Sequence, residues 1–216
     1  MKADLHVHTG YSPDCVTSLE DIIARCLRNG IDCLAITDHN TIAGAVEMKK
    51  LAPFKVIVGE EIDTSSGEII GYFLHEEIPQ GLSAQETIAR IKKQGGAVCV
   101  PHPFDTFRLS ALRREVLESL VTGIDIIEVL NSRLILLRHA DMARRFAESH
   151  GLLMSAGSDA HTCAEVGNAY VEMPDFNDRN HFLDALAQGR LVGRRSSPWV
   201  RFRSNWAKLR KVRQPR

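Results

Sequence analysis

Histidines and carboxylates recur along this 216-residue chain where they could meet around metal ions. His6 and His8 are separated by one apolar residue within Ala3-Asp4-Leu5-His6-Val7-His8-Thr9. Side chains two apart on a β-strand point the same way, so the two imidazoles would converge on one point. Alone, the pair reads as a strand with a wet face. Further along, His39, Glu61, His102, Asp159 and His161 each stand at or just after a short apolar run. Any one of these has a structural alternative: Asp159 could cap the next helix, and His102, between Pro101 and Pro103, could merely shape a turn. As a set they share no such explanation comfortably. Imidazoles mixed with carboxylates, without thiolates, suit Mn²⁺, Fe²⁺ or Zn²⁺, and a carboxylate can bridge adjacent ions.

Those residues need a scaffold that brings the ends of many strands together. Apolar runs of strand length alternate with amphipathic stretches, which is the pattern of βα units and a mainly parallel sheet. Strands are expected at the N-terminus up to His8, then at 33–37, 55–59, 68–74, 97–100, 124–130 and 152–156, with a last short one at 169–173. Thr17 or Ser18 should cap a helix that Gly30 stops, and Ser83 with Glu86 forms a capping-box pattern closed by Gly95-Gly96. Helices are also expected over 43–50, 109–120, 134–150 and 179–188. A barrel-like α/β domain follows, with its polar cluster on the C-terminal rim of the strands, where loops of such folds carry active sites. Asp4 should share the face of His6 and His8 and orient an imidazole from behind.

Hydrophobic residues make up 44% of the chain, enough for one substantial core, so a single domain over 1–216 is the expectation. The 27 basic and 27 acidic residues cancel, so the overall balance argues neither for a nucleic-acid coat nor for an acidic partner. The distribution is less even: no acid follows Asp184, and a basic segment at about 190–216 carries Trp199 and Trp206. The 5 cysteines never form a Cys-x-x-Cys pair, which suits free thiols in a reducing compartment. Lys2, Asp4 and His6 interrupt the apolar region a signal peptide needs, and no later run approaches membrane-spanning length. A cytoplasmic protein with no membrane partner is expected.

The motifs Asp4-Leu5-His6-Val7-His8-Thr9, Thr37-Asp38-His39-Asn40, Gly59-Glu60-Glu61-Ile62, Pro101-His102-Pro103 and Ser158-Asp159-Ala160-His161 occur in this order. Together they resemble the PHP (polymerase and histidinol phosphatase) family over residues 4–161. The resemblance implies a distorted (β/α)₇ barrel that holds two to three divalent ions (Mn, Fe or Zn) and hydrolyses phosphate esters with a metal-bridging hydroxide. It implies His6 and His8 as ligands of one ion, completed by Asp159. Glu61 would be the bridging carboxylate, His102 would help hold a second ion, and Asp14, His39 and His161 the third. Where many members carry a histidine after the bridging glutamate, this chain has Glu68, with His75 as the alternative.

Such a site implies a phosphorylated small molecule or nucleotide as substrate. Arg133 and Asn131 follow the sixth strand onto the same rim, and Arg108 follows Pro-His-Pro; each arginine could grip phosphate in a bidentate way or form an ordinary surface salt bridge. An exonuclease or oligonucleotide phosphodiesterase is the alternative, with the basic segment and its tryptophans gripping nucleic acid. Against this, the segment could be a C-terminal helix whose tryptophans pack on the barrel. A non-catalytic metal-stabilised binding module and an amidohydrolase are the other readings.

Overall fold

A computed structural model describes residues 1–196. Its strands are β1 (Lys2–Val7), β2 (Cys33–Ile36), β3 (Lys55–Thr64), β4 (Gly67–Tyr72), β5 (Ala97–Val100), β6 (Ile126–Asn131), β7 (Leu153–Gly157), β8 (Ala169–Glu172) and β9 (Arg190–Gly193). The helices are α1 (Leu19–Asn29), α2 (Ala43–Leu51), α3 (Ala84–Lys93), α4 (Arg114–Ser119), α5 (Leu137–His150) and α6 (Arg179–Ala187). Local signals set several ends. Ser18 accepts from the Asp21 N–H at the start of α1, and Gly30 ends that helix in the left-handed region at φ 64°. Ser83 likewise accepts from the Glu86 N–H.

The strands form one sheet in the order β7-β6-β5-β4-β3-β2-β1-β8-β9. This sheet curls until β7 reaches β1: the Asp159 N–H donates to the His6 carbonyl at 2.7 Å, and the His8 N–H to that of Ala160 at 3.0 Å. The first seven strands thus make a nearly closed barrel, in keeping with the expected distorted (β/α)₇ fold. The expectation of a mainly parallel sheet needs correcting. β3 turns straight back into β4, which runs antiparallel to both β3 and β5, and β8 is antiparallel to β1 and β9. The connection from Thr64 to Gly67 is too short for a crossover helix, so only a hairpin can form.

Side chains divide between two packed layers. Ala3, Leu5, Cys33, Ala35, Ile57, Tyr72, Cys99 and Ile126 fill the barrel interior, and α6 seals its lower end with Phe182, Ala185 and Leu186. Tyr72 is fully buried there and donates its hydroxyl to the Leu5 carbonyl at 2.8 Å. Alternate strand residues such as Leu34, Ile36, Val98 and Ile127 face outward onto the helices. Each large side chain so buried contributes about 1.5–3 kcal/mol.

The expected helix over 109–120 is shorter, only Arg114–Ser119. The residues before it are tied to β4 instead: the Glu68 N–H donates to Ser110, the Arg113 N–H donates to Ser66, and the Leu112 backbone lies against Gly67. The basic segment begins not as helix but as edge strand β9. Its remainder, with Trp199 and Trp206, lies outside the described residues. No helix among the described residues is long and apolar enough to cross a membrane.

Candidate metal centre

The C-terminal rim is assembled by departures from regular strand geometry. Ala3 and Leu5 face the interior whereas Val7 packs on the outer helices, and the β1–β2 register slips between Asp4 and Val7. This irregularity shifts the alternation, so that His6 and His8 both turn inward. Asp4 is thereby separated from them. Its carboxylate accepts from the Ser158 and Gly167 N–H groups at 2.8 and 2.9 Å and touches no imidazole ring, contrary to the sequence expectation. His102 and Asp159 have φ of 30° and 52°, in the left-handed region that is uncommon outside glycine, although Asp and His enter it more readily than most residues.

Glu61 lies inside β3 rather than at its end, opposite Ile70 of β4. Glu68 is two residues from Ile70 on the same face, and the hairpin brings it diagonally beside Glu61. Because β4 runs backwards, its first residues meet the rim. His75, beyond the far end of β4, is roughly 20 Å of strand away from Glu68, where its N–H donates to the Gln94 side chain at 2.8 Å.

The sequence-nominated residues come together. Glu61 is central: Oε2 lies 3.4, 3.3 and 3.4 Å from His6 Nε2, His8 Nε2 and His39 Nδ1, and Oε1 lies 3.1 Å from His102 Nε2. Glu68 is 3.5 Å from His102 and 3.9 Å from His39. Asp159 Oδ1 is 3.6 Å from His8 and 3.4 Å from His161, and Asp14 is 3.1 Å from His161 and 3.6 Å from His39. Asp14 and His39 are half-buried, and the others are buried.

The donor set fits divalent cations. Asp14 Oδ1, His39 Nδ1, Glu68 Oε2, His102 Nδ1 and Asp159 Oδ1 are buried without a hydrogen-bond partner, which is costly unless something compensates. Among the described residues, four groups have their donor atoms within 4.8 Å: His8, His39 and His161; His6, His8 and Glu61; His6, His102 and Asp159; and His39, Glu61 and Glu68. The groups overlap, with Glu61 shared between two of them.

The electrostatics are those of a compact, strained charge cluster. Burial alone would push Glu61 up, but the neighbouring His6 and His39 hold its carboxyl well below the usual range. Asp159 is held low against burial by Arg108, His6 and Arg133, and Asp14 is held low against burial by His161 and His39. Burial and then the charge of Glu61 raise Glu68. Burial and then His161 depress His8 to about 3, leaving it a neutral lone-pair donor at physiological pH. Burial opposes a charge on His39, yet Glu61, Asp14 and Glu68 raise it to about 10.

A supporting layer surrounds these groups. The nominated substrate contacts are on the rim but turned toward the cluster and the acids beside it. Arg108 pairs with Asp159; Asn131 donates to Glu128 at 2.9 Å and to Asp159 at 3.2 Å. Arg133 reaches His161 Nδ1 at 2.7 Å and Glu165 at 3.3 Å. Sequence reasoning gave no role to Glu128, which sits 3.0 Å from His6 Nδ1, or to Ser12, 3.0 Å from His8 Nδ1. The available signal was a carboxylate inside the apolar run Ile126-Ile127-Glu128-Val129-Leu130.

A nearly closed α/β barrel with imidazoles and carboxylates gathered on its C-terminal rim places the protein in a class that presents candidate metal ligands at that rim. Residues 138–191 match the family model described as PHP-associated. Two uncharacterised proteins of Methanocaldococcus jannaschii are similar in sequence. One is 39% identical over 182 residues, covering 82% of this chain and 72% of its own. The other is 50% identical over 117 residues, covering 48% and 68%. A two-domain protein from Bacteroides vulgatus containing a predicted PHP-like metal-dependent phosphoesterase has the same fold, with a TM-score of 0.74 at 19% identity. That match covers 90% of this chain and 65% of the Bacteroides protein. The chain belongs to the PHP family.

Proposed function

We propose that the protein is a metal-dependent phosphoesterase that hydrolyses phosphate esters of a small molecule or nucleotide. The observation that supports this reading is the buried cluster of histidines and acids with unpartnered atoms, centred on Glu61. His6, His8, Asp14, His39, Glu61, Glu68, His102, Asp159 and His161 would hold two to three divalent ions, and Glu61, lying against four imidazoles, has the placement of a bridge. Such ions supply positive charge against phosphoryl oxygens and lower the pKa of water. The protein's own part is to keep the ligands in register and the reaction free of a covalent step. Cys15, which contacts the His161 carbonyl at 3.2 Å, is raised to about 11 by burial and is no thiolate nucleophile at neutral pH.

The test is hydrolysis of p-nitrophenyl phosphate and nucleoside monophosphates by protein of measured Mn²⁺, Fe²⁺ or Zn²⁺ content. Turnover that rises with metal content and ends with a chelator is expected. Full loading with no ester cleaved overturns the enzyme reading. Preferential cleavage of an oligonucleotide would move the assignment to a phosphodiesterase, and cleavage of an amide alone would move it to an amidohydrolase.

A further inference from the structure

One side chain, Glu128, touches or is one step removed from every member of a single candidate ligand group, His6, His102 and Asp159. Glu128 is buried on β6 and faces the barrel interior, in step with Ile126. Its Oε1 lies 3.0 Å from His6 Nδ1. Its Oε2 accepts from the His102 backbone N–H at 2.8 Å and from the Asn131 amide at 2.9 Å. Asn131 in turn donates to Asp159 Oδ2 at 3.2 Å, and Arg108 holds that same oxygen. The result for Asp159 is a divided carboxylate: Oδ2 is occupied by two donors, while Oδ1 has no hydrogen-bond partner and faces the imidazoles of His6, His8 and His161 at 3.8, 3.6 and 3.4 Å, with the Arg133 guanidinium at 3.9 Å.

We infer that Glu128 is the positioning residue that aligns these three ligands, with Asn131 and Arg108 extending its reach to Asp159. This rests on the metal-centre reading above. The chemistry follows from each contact. A carboxylate at Nδ1 fixes the protonated nitrogen of His6 there, so that Nε2, on the Glu61 side of the ring, presents its lone pair. The bond to the His102 N–H anchors a backbone at φ 30°, a sparsely populated conformation for a non-glycine residue. The Asn131 and Arg108 contacts restrict Asp159 to offering one oxygen. Removing such supporting partners typically weakens metal affinity about 10–100-fold. Of the three side chains nominated as substrate contacts, Asn131 and Arg108 therefore act through Asp159.

The experiment compares wild type, Glu128→Gln, Glu128→Ala and Asn131→Ala by metal titration and by metal content after dialysis, without reference to turnover. Expected is a loss of about 10–100-fold in affinity for part of the bound Mn²⁺ or Zn²⁺ in both Glu128 variants, a smaller loss of the same sign in Asn131→Ala, and the remaining metal retained. Thermal unfolding in chelator provides the structural control: a variant that binds weakly while keeping the wild-type midpoint supports positioning. If Glu128→Ala does not fold, Glu128→Gln and Asn131→Ala carry the test. Variants that load like a metal-binding wild type overturn this inference alone. A wild type that takes up no divalent ion overturns the metal-centre reading and this inference with it.

Discussion

Glu61 and Glu60 are adjacent in sequence and opposite in circumstance. Glu61 meets four imidazoles inside the barrel; Glu60 points the other way and accepts from the Ile78 N–H at 3.0 Å. Glu61→Gln removes the negative charge of the central ligand and turns one acceptor oxygen into a donor while nearly preserving its shape. We expect metal occupancy to fall and turnover to drop by more than about 100-fold, the upper end of what losing a mere supporting partner costs, with the circular dichroism spectrum unchanged. Wild-type turnover in that variant would remove Glu61 from the centre of the site. Burial pushes Glu60 up to about 7, against the Ile78 N–H and with help from Glu77. A raised acid favours folding fully only below its ordinary value of 4.5, and that contribution is lost as pH climbs through about 7. Glu60→Gln should therefore raise the unfolding midpoint more at pH 8 than at pH 5. An equal change at both pH values would show that Glu60 is not the group responsible.

At the scale of elements, the rim depends on close approaches that leave no room for a side chain. A Cβ on Gly157 at the end of β7 would stand 2.3 Å from His6 Cβ and 2.9 Å from Glu128 Oε1. Gly157→Ala must push β7 and β1 apart at the point where the barrel closes. Overpacking of this kind costs about 1–3 kcal/mol, and a chain of this size loses roughly 2–4 °C of midpoint per kcal/mol. We expect that fall together with weaker metal binding, read by differential scanning calorimetry and metal titration. Wild-type values for both would mean that the strands separate without disturbing His6. The β3–β4 hairpin explains why Glu68 was legible only through family resemblance. Gly67-Glu68-Ile69-Ile70 does not itself mark the strand's direction; the short turn from Thr64 to Gly67 does, and it becomes informative only once β3 is known to run on to Thr64, which brings Glu68 to Glu61.

For the whole molecule, the cluster is a concentration of partly uncompensated polar atoms set above an apolar core. Ions bound there should stabilise the fold by mass action, by about 2.7 kcal/mol at a hundredfold excess over Kd. At this size that corresponds to a rise of roughly 5–10 °C. A thermal scan with Mn²⁺ or Zn²⁺ and a repeat in excess chelator would check it, and coincident midpoints would count against a metal centre tied to folding.

Much of this architecture is local and therefore legible in the chain. Ser18, Gly30 and Ser83 mark helix ends through hydrogen bonds and backbone freedom that involve only near neighbours. The apolar runs place seven strands around the barrel, and the recurrence of His and acid after those runs nominates the cluster. Tertiary structure alone decided the rest. It extended β3 through Glu61 to Thr64, shortened the helix after Ser110 by tying that segment to Glu68 and Ser66, and slipped the alternation of β1 so that Asp4 left the face of His6 and His8. It also made Glu128 a shared partner of residues up to 122 positions away in sequence. These outcomes depend on which surfaces the folded chain presses together, and no local pattern of the intervening residues encodes that.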